Sequence, residues 1–232
     1  MAEFQGIQGI LFDSGDTLMG PIGGEWLPGD AFRRMIATRE NLTLNWEHLD
    51  EAHEEALAQL LEDHLLQTEA EELNRFQGYF TTLLQGLGAT ESVESLAREI
   101  AHEMIEHPSI DLFPDVVSTL ERFSADGLKL GVISNGWPSL DRQLQMVGIR
   151  DFFDVLVVSA HVGSRKPESR IFEVALKEMD LPAGSVLLVD DALENVVAAE
   201  KLGMQGVVVQ RADAAPNGYS AVKTLDEISL IP

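Results

Sequence analysis

Residues 10–18 read Ile-Leu-Phe-Asp-Ser-Gly-Asp-Thr-Leu, an apolar run that ends on a carboxylate, Asp13, and passes into a polar turn containing glycine. A short apolar run bounded by turn residues reads as a buried strand. A carboxylate just past such a strand is held by the sheet yet presented to a ligand, which is how a chain offers a nucleophile. The same Asp also suits a second role, capping the turn that follows. Three later segments repeat the arrangement. Residues 128–133 lead to Ser134, residues 155–158 lead to the loop Ser164-Arg165-Lys166-Pro167, and residues 186–189 lead to Asp190-Asp191. With 8–12 as first strand and 206–209 as fifth, helical patterns fill the gaps at 114–125, 140–147, 169–179 and 192–202. Strands alternating with helices predict an α/β fold, a doubly wound parallel five-stranded sheet that gathers the four polar segments at one edge. Pro114 suits a first helical position, and Gly127 suits the turn that closes that helix.

Between residues 19 and 108 the pattern changes to helices alone. Apolar residues recur at three- and four-residue spacing through Phe32, Met35 and Ile36, then Ala56, Leu57, Leu60 and Leu61, then Phe76, Phe80, Leu83 and Leu84, then Leu96, Ile100 and Met104. Each such helix has one apolar face, and antiparallel packing of these faces predicts a small bundle. Asn45 and Thr90 are the expected N-caps. The chain therefore reads as one domain made of residues 1–18 and 109–232, with residues 19–108 inserted as an α-helical second domain. Gly20-Pro21-Ile22-Gly23-Gly24 and His107-Pro108-Ser109 are the expected hinges. The insert carries 18 Asp and Glu against 5 Lys and Arg, an excess that reads as a solvated outer face.

The formal net charge of −23 disfavours partners rich in phosphate, because nucleic acid and anionic lipid are bound by clustered Lys and Arg that this chain lacks. No nucleic acid and no membrane is the expectation. No run of 18 apolar residues is present and the N-terminus does not read as a secretory leader, so a cytoplasmic location is expected. With no cysteine, disulfides, thiolate metal sites and cysteine nucleophiles are excluded. The histidines His48, His53, His64, His102, His107 and His161 show no shared metal spacing and read as structural or surface groups. Glu25 and Trp26 read either as pocket lining or as packing within the helical insert.

The polar segments carry their own chemistry. Ser134 lies in Gly-Val-Ile-Ser-Asn-Gly, where a hydroxyl and successive main-chain N–H groups suit phosphoryl oxygens; Asn135 suits either that role or stabilisation of the turn. The Lys166 ammonium, followed by a proline that restrains the chain, is a point charge suited to a carboxylate and a phosphate together. Arg165 reads as surface. Two adjacent carboxylates, Asp190 and Asp191, are costly in so acidic a chain unless a cation offsets them. Mg²⁺ fits, being hard, oxygen-seeking and often held by one or two carboxylates plus a substrate phosphate.

Asp13, Thr17, Ser134, Lys166 and Asp190-Asp191, in that order and spacing, resemble the motifs of the haloacid dehalogenase superfamily, and the likeness covers nearly the whole chain. The resemblance implies a Rossmann-like core with a helical cap and Mg²⁺-dependent hydrolysis of phosphate monoesters through an aspartyl-phosphate. By the same resemblance Asp13 is the nucleophile and Thr17 orients it, while Ser134, Asn135 and Lys166 hold the phosphate of a small phosphorylated substrate. Asp13, the main-chain carbonyl of Gly15 and Asp191 would ligate Mg²⁺, with Asp190 and Asn195 as supporting or water-mediated ligands.

One position departs from that family. Most of its phosphatases read Asp-x-Asp-x-Thr, the second carboxylate serving as acid and then base, whereas this chain reads Asp13-Ser14-Gly15-Asp16-Thr17. Positioned acid–base groups contribute about 10²- to 10⁴-fold in rate, so slow turnover is the expectation. Either Asp16 is the substitute acid, with Gly15 reshaping the turn to admit it, or a residue of the helical insert supplies the proton. Two alternatives stand beside the phosphatase: a catalytically weak phosphate- or ligand-binding protein, and a 2-haloacid dehalogenase, since dehalogenases of the family also lack the second Asp.

Overall fold

A computed structural model describes residues 2–39, 42–62, 65–211 and 218–231. Along the chain come strands β1 (Ala2–Gln5), β2 (Gly9–Phe12) and β3 (Met19–Pro21), then helices α1 (Gly29–Ala37), α2 (Leu49–Leu61), α3 (Glu69–Gly86) and α4 (Val93–Glu106). Strands and helices then mix: β4 (Ile110–Leu112), α5 (Val116–Ala125), β5 (Lys129–Ser134), α6 (Leu140–Met146), β6 (Val155–Val158), α7 (Ser159–Val162) and α8 (Ser169–Met179). The last elements are β7 (Val186–Asp190), α9 (Leu193–Lys201), β8 (Gln205–Val209), β9 (Ala221–Val222) and β10 (Ile228–Ile231). Two compact units result, one of Met1–Gly20 and Leu112–Pro232, the other of Pro21–Asp111. No helix among the described residues is long and apolar enough to cross a membrane.

The first unit is built on a parallel sheet in the order β6-β5-β2-β7-β8-β9. All five expected strands form, because runs such as Val-Leu-Leu-Val are buried on both faces, the setting of a parallel sheet covered by helices. A sixth, β9, adds at one edge; at two residues it is too short to show any alternation. Helix α5 starts at Val116, so Pro114 precedes the helix instead of opening it. Leu11, Ile133, Phe172 and Leu188 lie in one core cluster, all with no exposed surface. Chain order reverses at β2, with β5 and β6 on one side and β7 and β8 on the other. In such sheets the crevice opens at the carboxyl ends of the strands at this reversal. Asp13 follows the end of β2, and Asp190 is the last residue of β7.

The second unit is helical. Its core stacks Phe32 on Phe80 at 5.9 Å, with Tyr79 edge-on to Phe80 at 4.9 Å. Helices α2 and α3 approach closely at Gly86, where a Cβ would stand 2.5 Å from that of Ala52. Asn45 caps the short turn Trp46–His48, accepting from the Glu47 amide. Thr90 does not cap α4: the residue before that helix is Ser92, at φ +54°. A capping box joins Thr68 and Glu71 at the start of α3, reciprocal bonds that satisfy two main-chain donors. Acidic side chains such as Glu51, Glu54, Glu55 and Glu94 lie on the exposed surface, whereas Glu72 is buried.

Candidate active site

Strand β2 places Asp13 beside the end of β7, its amide donating to the Val189 carbonyl at 2.8 Å. The loop between α7 and α8 brings Lys166 to the same edge. Its ammonium donates to Asp13 Oδ1 and to Asp190 Oδ2, both at 2.6 Å, with all three side chains at most 10% exposed. A buried ammonium between two carboxylates neutralises charge that burial would otherwise make untenable. Asp190 is held on both sides: its second oxygen accepts from the Ala192 amide and from Asn195 Nδ2, each at 2.9 Å. It orients Lys166 and Asn195, and Oδ2 accepts from Lys166.

The turn after Asp13 is tightly bonded. Ser14 accepts at its carbonyl from the Leu18 and Met19 amides, and the Asp16 amide donates to the Met19 carbonyl at 2.8 Å. The left-handed residue of this turn is Asp16, at φ +58°, and not Gly15. Gly15 therefore does not lend its conformational freedom to the turn; Asp16 takes the backbone conformation in which glycine is favoured. Thr17 is wholly buried, and its hydroxyl has no hydrogen-bond partner.

Ser134 is the last residue of β5, and its hydroxyl lies 2.7 Å from that of Ser14, a pairing that neither segment announces by itself. Asn135 does not present its amide to a ligand. Its Nδ2 donates to the Lys166 carbonyl at 2.9 Å and its Oδ1 accepts from the Lys166 amide at 2.7 Å, so the side chain fixes the lysine loop. Arg165, expected at the surface, is half-buried, and burial lowers its pKa. Glu25 pairs with Arg33 at 2.6 Å, and Trp26 is 41% exposed. His53 Nδ1 lies 2.6 Å from the Tyr79 hydroxyl, and His107 pairs with Glu103. His64 lies outside the described residues.

Electrostatics single out the same edge. Burial raises the Asp13 carboxyl to about 7 against the opposing pull of Lys166, and repulsion from Asp190 and Asp191 adds to the rise. Burial, then repulsion from Asp190 and Asp16, raises Asp191 to about 6. For Lys166 burial pulls downward, but attraction to Asp13 and Asp190 outweighs it and the pKa rises. Negative charge at this edge thus exceeds what one lysine offsets, and a divalent cation would reverse both carboxyl shifts. Asn195 Oδ1 is buried and accepts no hydrogen bond, which leaves another oxygen in want of a donor or cation. No closed cage of three or more His, Cys, Asp or Glu exists among the described residues. An open donor set of this kind fits Mg²⁺, an ion that keeps several waters and shares its coordination with substrate.

Comparison with known proteins agrees with this fold. The model of the haloacid dehalogenase-like hydrolase family matches residues 46–209, more than half of the chain; the span contains Ser134, Lys166, Asp190 and Asp191 and begins after Asp13. A glyceraldehyde 3-phosphate phosphatase of Methanothermobacter thermautotrophicus is 35% identical over 56% of this chain and 61% of its own length, so the chain spans less than two thirds of that relative. Among solved structures, a 2-haloacid dehalogenase of Pseudomonas syringae superposes with a TM-score of 0.66 at 21% identity, over 95% of this chain and 96% of the other. The HAD-hydrolase YfnB of Bacillus subtilis, bound to magnesium, superposes at 0.65 with 18% identity over the same shares. With most of its sheet-bearing sequence inside the matched span and that fold around it, the chain belongs to the haloacid dehalogenase-like hydrolase family.

Proposed function

We propose that this protein hydrolyses small phosphate monoesters in a Mg²⁺-dependent reaction, with Asp13 as the nucleophile. The observation that carries the reading is Lys166, buried and 2.6 Å from both Asp13 and Asp190 at the carboxyl edge of the sheet. An Asp13 oxygen attacks phosphorus, the ester oxygen leaves and takes up a proton, and water then attacks the aspartyl-phosphate to release inorganic phosphate and restore the carboxylate. Lys166 offsets the charge of Asp13 and of the incoming phosphate. The Ser134 hydroxyl and the Asn135 main-chain N–H donate to the phosphoryl oxygens, and to the Thr17 hydroxyl, which makes no hydrogen bond in the structure, we assign the orienting of Asp13 once substrate is bound. Mg²⁺, which Asp13, Asp191 and the Gly15 carbonyl would hold with Asp190 and Asn195 in support, supplies positive charge against the phosphate oxygens. The helical unit serves as the cap that selects substrate. The phosphatase named above, 35% identical where it matches, supports the reaction class.

Gly15 leaves the departing oxygen without the acid found elsewhere in the family. Asp16 is the substitute we assign: its charge is felt by Asp191, so it stands within electrostatic reach of the same edge. Aryl phosphates, whose leaving groups least need protonation, should be turned over faster than alkyl phosphates. Equal rates on both would refute the missing-acid argument. Gly15 also favours a second reading, displacement of halide from a 2-haloacid, which needs no acid.

The test is a panel of phosphorylated metabolites, aryl phosphates and 2-haloacids, run with Mg²⁺ and with chelator on wild type and Asp13→Asn. Phosphate release that requires Mg²⁺ and is lost in Asp13→Asn supports the proposal. Halide release that survives chelator supports the second reading instead. Ligand binding with no turnover at all points to a binding protein.

A further inference from the structure

Two residues past β8, Arg211 sits at the carboxyl edge of the same sheet without touching Asp13, Lys166 or Asp190. Its guanidinium joins three segments distant in sequence. Nη1 donates to Asp115 Oδ1 at 2.8 Å, Nη2 donates to the Thr17 carbonyl at 2.5 Å, and the plane lies over the Phe113 ring, 3.8 Å from its centroid. Asp115 is itself held, its other oxygen accepting from the Leu225 amide. The Phe113 amide in turn donates to the Leu18 carbonyl, one residue after Thr17. The guanidinium is largely buried, and its Nε has no partner. Leaving a buried donor unmade costs about 1–3 kcal/mol, a penalty set against the bonds its other nitrogens make.

We propose that Arg211 is a positioning residue for the nucleophile turn: by gripping the Thr17 carbonyl while anchored on Asp115 and Phe113, it fixes residues 13–19 and thereby aims Asp13 and the Gly15 carbonyl. The middle of the turn is where such a grip matters. The sheet holds its two ends, through the Asp13 amide to Val189, the Ser14 hydroxyl to Ser134 and the Phe113 amide to Leu18, while the bonds from the Leu18 and Met19 amides to Ser14 and from the Asp16 amide to Met19 run within the turn; Arg211 adds a grip on the Thr17 carbonyl between those ends. It also contains an Asp at φ +58°, a conformation that favours relaxation to other backbone angles unless surroundings oppose it. A planar fork can hold a carboxylate and a carbonyl at once while stacking on a ring; a lysine at this place cannot.

The kinetic arm of the test rests on the reading of Asp13 as nucleophile, whereas the structural arm does not. In metal-free protein, amide hydrogen exchange is followed at Asp16, Leu18 and Met19 in wild type, Arg211→Met, Arg211→Lys and, as control, Thr119→Val. The control removes the neighbouring bond from Thr119 to Asp226 and leaves the turn alone. Exchange at the three amides should quicken on the order of ten-fold in both Arg211 variants and not in the control. With Mg²⁺ and an aryl phosphate, kcat should fall about ten- to a hundred-fold with KM little changed, since small misplacements of a reacting group cost rates of this order. A weaker apparent Mg²⁺ affinity, measured by calorimetry, should accompany it. If Arg211→Met does not fold, Phe113→Leu, which removes the ring under the guanidinium, decides on the same amides. Unchanged exchange and unchanged Mg²⁺ affinity in folded variants overturn the inference. A wild type that releases no phosphate sinks the proposed function and leaves the exchange result to judge Arg211 alone.

Discussion

The two units place their charges in opposite ways. At the sheet edge Lys166, Asp13 and Asp190 form ion pairs with side chains at 1%, 10% and 0% exposure. In the helical unit Arg34 pairs with Asp30 and Arg33 with Glu25 while each side chain stays about a third to a half exposed. An exposed pair is screened and entropically costly, so it contributes little. A buried pair is seldom retained for stability, because an apolar replacement is often as stable. Burial, rather than the number of charges, separates a chemical device from a solvated face, and a chain at −23 would conceal that difference from any count.

Replacing the buried cation should produce the largest effect. Lys166→Met leaves Asp13 and Asp190 facing one another without compensation, so a loss of about 3–5 kcal/mol is expected together with all turnover. Denaturant melts and phosphate release check both. Stability within error of wild type would erase the contrast between the two units. Next is Gly15→Asp, which should increase turnover of alkyl phosphates by about 10²-fold. Gly15 is not among the positive-φ glycines, so its backbone does not penalise a side chain there. A drop in turnover in folded protein would mean that Gly15 makes room for substrate.

A smaller effect concerns pH. Asp191 ionises near 6 in the folded, metal-free protein against about 4 when unfolded. The raised value favours its protonated form in the fold, so the contribution is present below pH 4 and is lost as pH rises through 6. Melting temperatures without divalent cation should therefore decline across that window, and Asp191→Asn should flatten the decline. An identical slope in the variant would contradict the assignment. The smallest effect is Arg34→Met, which should leave both melting temperature and kinetics unchanged; a clear loss would show that the exposed pairs matter after all.

Much of the fold was legible because its signals are local. Val186–Asp190 is buried throughout and reads as a central parallel strand, and Phe76, Phe80, Leu83 and Leu84 mark one face of α3. The meeting of Lys166 with Asp13 and Asp190 followed from the latter two lying at or just past a strand end and the lysine in the connection that follows another strand; the short helix Ser159–Val162 within that connection was not marked by any pattern. The contacts that sequence left dark join loops far apart in the chain: Ser14 with Ser134, Asn135 with Lys166, and Arg211 with Thr17, 194 residues away. A hydroxyl, an amide or a guanidinium has many possible partners, and only the closed sheet decides among them. The capping box of Thr68 and Glu71 is the exception, a local contact that the Thr-x-x-Glu spacing spells out. The strand Ala221–Val222 was too brief for any periodicity to mark it.

The pair of hydrogen bonds between the Asn135 side-chain amide and the main chain of Lys166, one donated each way, makes the two loops a single module. Anyone splicing the lysine loop from a relative into this scaffold, or lifting it out to build a hydrolase elsewhere, would have to carry the asparagine along. A graft lacking it would strand two main-chain groups, each costing about 1–3 kcal/mol, and the ammonium would arrive without its aim.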